Sequence, residues 1–174
     1  IWGAQLEAGT LTDYQRVGTD KMTVMAGVRK LSDAARGTIC ELTATIASNN
    51  GGFHLTAPNA ASDTFAFESK GTSLADAVAS SIAAPATRVL TGIGNIGGDS
   101  TSLRVNGVVA DTDTGDQGRG NYANAVLYIS SRGGSSLRFN GLIYSLIVRG
   151  ATTPTGTIAD FERNLLARRC GVTF

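Results

Sequence analysis

The chain has 174 residues, enough for one domain with a well-buried core and too few for two ordinary ones. Its 15 Lys and Arg against 14 Asp and Glu leave a formal charge of +1, which gives no broad attraction for nucleic acid or an anionic membrane. No apolar run approaches the ~18 residues of a membrane span, and 22 glycines against 3 prolines indicate tight turns between short elements, so a soluble all-β protein without membrane insertion is expected.

The first segment, "IWGAQLEAGTLTDYQRV", starts without Met and in mid-strand rhythm. Residues 1–18 are therefore expected to close an upstream module or form a linker, with Trp2 and Tyr14 packing on that module or a neighbouring chain, and the domain proper runs from 19 to 174. Alternation then marks strands: Met22, Val24, Ala26 and Val28 share one face of "KMTVMAGV", and Cys40, Leu42, Ala44 and Ile46 share one face of "TICELTATIA". Cys40 is expected to be a buried free thiol, since two cysteines at this spacing fit neither a disulfide scaffold nor a zinc motif. "GFHLTA" alternates through Phe53, Leu55 and Ala57, which sends His54 to the solvent side, and "TFAFES" alternates through Phe65 and Phe67.

"SLADAVASSIAA" admits either a helical turn or an irregular strand. "GIGNIG" satisfies Gly-x-Gly-x-x-Gly, but a turn and strand follow it where a dinucleotide site needs a helix. It is expected to be a glycine-rich strand packed closely on the facing sheet. "SLRVNGVVA" alternates through Leu103, Val105, Gly107 and Val109, and "FNGLIYSLIVRG" leaves neither face polar, as for a central strand covered on both sides. The C-terminal segment predicts a helix capped by Thr157 with Asp160, carrying an apolar stripe of Ile158, Phe161 and Leu165, and ending at Arg168, Arg169 and Gly171. Together these elements predict an antiparallel two-sheet jelly-roll sandwich with a short C-terminal helix as a latch.

"LRVNGVVAD", "AVLYISSRGG" and "FNGLIYSLIVRGATTPTGTIADFE" resemble, in order and spacing, strands of the concanavalin A-like lectin/glucanase superfamily in its laminin G-like form, with Ser130 standing where that pattern has Gly. The opening segment is similar to one recurrent in phage and prophage tail proteins. The resemblance implies a tail-fibre or tailspike-type module located in a virion or encoded by a prophage. Its implied partners are a host-surface glycan, other virion subunits or upstream domains, and copies of itself in a homo-oligomer such as a trimer.

Glucanases of that superfamily carry a Glu-x-Asp-x(-x)-Glu strand, and here Glu7, Glu41, Glu68 and Glu162 stand isolated along the chain, so no enzyme activity is expected. The densest polar stretch is "DTDTGDQGRGN". Asp111, Asp113 and Asp116 are the calcium candidates, although the spacing departs from an EF-hand and no cofactor is otherwise implied. For a sugar, the same three with Asn121 and Arg119 would meet hydroxyls, Tyr122 would stack on a pyranose, and Arg132 with Arg138 would grip an acidic group. The plain alternative is a solvated loop of Asp and Gly turns between two strands.

Overall fold

A computed structural model describes residues 19–174, and the segment expected to close an upstream module, with Trp2 and Tyr14, lies outside the described residues. Among those described, ten strands form two antiparallel five-stranded sheets. They are β1 (Lys21–Lys30), β2 (Thr38–Leu42), β3 (Gly52–Thr56), β4 (Phe65–Lys70), β5 (Leu74–Ala79), β6 (Ala86–Asn95), β7 (Ser100–Val105), β8 (Val108–Asp113), β9 (Leu127–Ile129) and β10 (Gly141–Arg149). One sheet has the order β10-β1-β6-β7-β8 and the other β5-β4-β3-β2-β9, so the all-β sandwich expected from alternation is what forms.

The core lies between the sheets. Val24, Ala26, Val28, Leu90 and Leu103 from the first meet Cys40, Leu42, Phe53, Leu55, Phe65 and Phe67 from the second. Burying each Phe contributes roughly 1.5–3 kcal/mol. The two sheets approach closely because β6 carries glycines where they face Phe67 and Tyr122: a Cβ on Gly92 would enter the Phe67 ring, and one on Gly94 would meet the Tyr122 hydroxyl. The first part of "GIGNIG" is thus a close-approach strand, as its composition suggested, and a 3-10 turn over Ile96–Gly98 follows it.

Three local expectations change and one open alternative is resolved. β1 is buried on both faces and is central, while "GLIYSLIVR" is the edge strand β10, with Leu142 and Val148 exposed. Its apolar residues read as central because they line the half-covered margin of the sandwich. β2 stops at Leu42, since Thr43 takes a φ of 81° and turns the chain out of the sheet, leaving Ala44 exposed. "LADAVA" is a strand with Ala75, Ala77 and Ala79 inward. The alternation in "SLRVNGVVA" breaks at Asn106 and Gly107, whose φ values of 48° and 80° make the tight hairpin between β7 and β8.

The C-terminal helix begins at Thr155, not Thr157, and no side chain caps it. Its first turn is α1 (Thr155–Asp160), a π-helical stretch covers Phe161–Ala167, and α2 (Arg168–Cys170) ends at Gly171 with φ 70°. The wider π winding moves the buried stripe from the expected Ile158, Phe161 and Leu165 to Ile158, Glu162, Leu166 and Ala167, packed on Met25 and Val89. Glu162 is buried against the sheet and accepts from Arg104 Nε at 2.9 Å, Arg104 Nη2 at 3.0 Å and the Thr91 hydroxyl at 2.8 Å. The helix is therefore fixed to the outer face of the first sheet by an ion pair as well as by apolar contact. Cys40 and Cys170 are free thiols, the first fully buried in the core.

Replacing Gly92 with Ala should destabilise the fold by about 2 kcal/mol, because Phe67 has no room to retreat. Urea denaturation checks this, and a change near zero would show that the sheets can separate cheaply.

Candidate ligand-binding face

With the helix on the outer face of the first sheet, the outer face of the second is left to loops and side chains. Antiparallel register places Tyr128, Glu41, His54, Glu68 and Asp76 opposite one another in one row across β9, β2, β3, β4 and β5. A bulge at Ile39 adds Thr38 to that row's surroundings, because the extra residue puts Thr38 and Glu41 on the same face despite their odd separation.

His54 is fully buried, which overturns its expected solvent position. The loop before β2 brings Arg36, and the loop after β9 brings Arg132. Their Nη2 atoms lie 3.1 and 3.2 Å from His54 Nδ1. Glu68 Oε2 lies 2.8 Å from Nδ1 and pairs with Arg36, while Thr38 Oγ1 lies 2.9 Å from Nε2. In the neutral tautomer whose Nδ1–H donates to Glu68, the Thr38 hydroxyl donates to Nε2, and the two guanidiniums lie against Nδ1 without hydrogen-bonding it. On the other side, Arg132 Nε donates to Glu41 Oε1 and Oε2 at 3.2 and 2.9 Å, and Glu41 Oε1 also accepts the Ile46 amide at 2.7 Å. Lys70, further along the same face, donates to the Ile46 and Ala47 carbonyls at 3.0 and 2.8 Å. Two of the glutamates that stand isolated in sequence, Glu41 and Glu68, thus meet around one histidine.

Desolvation lowers the His54 pKa from 6.5, against the opposing pull of Glu68 and Glu41. Burial would raise the Glu68 carboxyl, but the His54 hydrogen bond, with His54 and Arg36 charges, carries it below its ordinary 4.5. At the β5 end the opposite happens: partial burial, then the charges of Glu68, Asp113 and Asp111, push the Asp76 carboxyl up.

The residues singled out in sequence are dispersed over the structure. Asp111 and Asp113 lie on β8, where their carboxylates accept the edge amides of β5: Val78 N to Asp111 Oδ2 at 2.8 Å and Asp76 N to Asp113 Oδ2 at 3.0 Å. They seal the seam between the sheets. Tyr122 is buried, bonded to Ser69 and stacked edge-on to Phe53, so its ring has no face open to a pyranose. Asp116, Arg119 and Asn121 line an open depression of about 580 Å³ with Asp20, Gly97, Asp99, Gly118 and Gly120. Asp116 and Asp99 there accept the Gly118 and Gln117 amides, holding the loop. Among the described residues no three His, Cys, Asp or Glu side chains gather as a metal site requires, because Asp111 and Asp113 face β5. Arg132 and Arg138 part company: Arg132 lies over Glu41, and Arg138 is exposed beside Thr38. Arg132's partner over the row is Arg36, which sequence reasoning missed, since neither alternation nor spacing links a loop arginine to a histidine two strands away.

The pH dependence follows. Unfolded His54 binds a proton below 6.5 while the folded residue resists it, so stability should fall as pH drops through that range. Glu68 adds stability that is full above 4.5 and is lost as pH falls through its lower folded value. His54→Gln should remove the first part of the slope and weaken the second, since Glu68 then keeps only Arg36 to lower it, as thermal melts across pH would show; an unchanged slope near pH 6 would rule out His54 as its source.

Similar solved structures share the fold at low identity. The carbohydrate-binding module CBM40 of Ruminococcus gnavus IT-sialidase, solved with alpha2,3 sialyllactose, superposes with a TM-score of 0.62 at 14% identity over 83% of each chain. The heptameric SAP-like pentraxin of Limulus polyphemus gives 0.62 at 11%, over 83% of this chain and 70% of that one. A botulinum neurotoxin type C structure, from a study of its interaction with two ganglioside molecules, gives 0.60 at 16%, over 84% of this chain and 36% of that one. No curated protein matches the chain. A laminin G-like family model matches residues 6–154, and with the ten-stranded sandwich in place the chain belongs to the concanavalin A-like lectin/glucanase superfamily.

Proposed function

We propose that this domain is a non-enzymatic carbohydrate-binding module, and that it recognises a host-surface glycan as part of a phage tail or related virion protein. The observation that carries the binding reading is the row from Tyr128 to Asp76, roofed by Arg36 and Arg132: a polar face held rigidly by buried ion pairs on the sheet that the helix leaves uncovered. Such preorganisation lowers the ordering cost of binding. The depression lined by Asp116, Arg119 and Asn121 offers a second polar surface at the rim. Solved relatives of this fold include a sugar-bound carbohydrate-binding module, which favours the same reading. The virion placement rests on the likeness of residues 1–17 to phage tail segments.

The carboxylates argue against hydrolysis. A two-carboxylate glycosidase needs one acid with a raised pKa beside the scissile bond. Asp76 is the carboxyl of the row that is pushed up, but the second carboxylate such chemistry needs is not free beside it: Glu68 is tied to Arg36 and His54, and Glu41 is buried under Arg132. A second reading, a module that holds an oligomer together, is favoured by exposed Leu142 and Val148 on edge strand β10.

Titration against host-cell polysaccharides should give saturable binding, with no reducing ends released, and Arg132→Ala should weaken it about tenfold or more. No binding at millimolar sugar, together with a stable oligomer by light scattering, would transfer the assignment to the structural reading.

A further inference from the structure

We infer that the paired guanidiniums of Arg36 and Arg132 form a subsite for a carboxylate on an acidic sugar, an assignment that rests on the carbohydrate-binding reading and narrows its ligand class. Both arginines reach the same His54 nitrogen, at 3.1 and 3.2 Å, from loops on opposite sides of β2. Two cations so close are tolerated because each has its own buried carboxylate, Glu68 under Arg36 and Glu41 under Arg132. Those carboxylates have no role left toward a ligand: Glu41 serves Arg132 and the Ile46 amide, and Glu68 serves Arg36 and His54.

What this part of the face can still offer is donors. A guanidinium has five N–H groups and accepts none. Arg132 commits Nε to Glu41 and Arg36 commits Nη2 to Glu68, and Arg36 Nε is buried away from solvent, so the donors left to a ligand are the remaining Nη groups of the two side chains. Both side chains keep part of their surface in solvent, 26% for Arg36 and 19% for Arg132. A neutral sugar hydroxyl needs an acceptor as well as a donor, whereas a carboxylate needs donors alone and matches the planar fork. The far end of the row sets the direction. Asp76, crowded by Glu68, Asp111 and Asp113, repels an anion, so the acidic group sits at the arginines with the rest of the saccharide running toward Tyr128.

The test uses the full 174-residue chain and compares three matched oligosaccharides by calorimetry and NMR: one with a uronic or ulosonic acid, its neutral counterpart, and a sulfated counterpart. The carboxylated sugar should bind at least tenfold more tightly than the neutral one, with shifts at Arg36 and Arg132 side-chain N–H groups and a loss of preference at high salt. Arg36→Lys and Arg132→Lys, which keep charge and lose the fork, should each reduce that preference severalfold; the wild-type comparison stands even if a variant folds poorly. Equal affinity for the neutral sugar, tighter binding of the sulfated one, or shifts confined to the Arg119 depression would overturn the subsite and leave carbohydrate binding standing. No binding of any of the three would overturn both.

Discussion

A carboxylate taken out of water must be paired, and that constraint organises both outer faces of this sandwich. Glu162 on the helix is buried against the first sheet and is met by Arg104 and Thr91. Glu41 and Glu68 are buried on the second sheet and are met by arginines from two different loops. Lys30 follows the same rule with the sign reversed: it is fully buried at the end of β1, paired with Asp33 at 2.6 Å and placed over the Phe65 ring. Each pair fastens a segment that alternation alone would leave loose, so the helix, the loop before β2 and the loop after β9 all owe their positions to a buried charge.

The same pairs divide the labour between the sheets. The first sheet is covered by the helix, whose π winding turns Glu162 inward and Phe161 partly aside. The second carries its charge as partly exposed cations over a buried carboxylate floor at one end and crowded carboxylates at the other. Along the seam between β5 and β8, Asp111 and Asp113 occupy amides that an edge strand would otherwise expose. The most chemical-looking stretch of the chain is therefore partly structural cement, and only its later residues, Asp116, Arg119 and Asn121, reach an open depression.

How far the sequence reached can be judged from single residues. Val24, Phe53, Phe67 and Leu103 were legible as core because a strand's period of two reports its buried face directly. Gly92 and Gly94 were legible as a close-approach strand because the helix a nucleotide loop needs does not follow them. His54 was misread for the same reason that Phe53 was read well: alternation says which face a residue takes, and is silent on what then covers that face. The stripe on the helix shifted by a residue because a π turn does not keep the 3.6 period.

By itself the sequence determined the all-β architecture, the inward residues of most strands and the terminal latch, since these follow from local periodicity and turn chemistry. Tertiary structure alone decided that Glu41, His54 and Glu68, separated by 13 and 14 positions, become neighbours, and that Arg36 and Arg132 close over them. Strand register and a one-residue bulge set those meetings, and neither leaves a mark on the local pattern of any one strand.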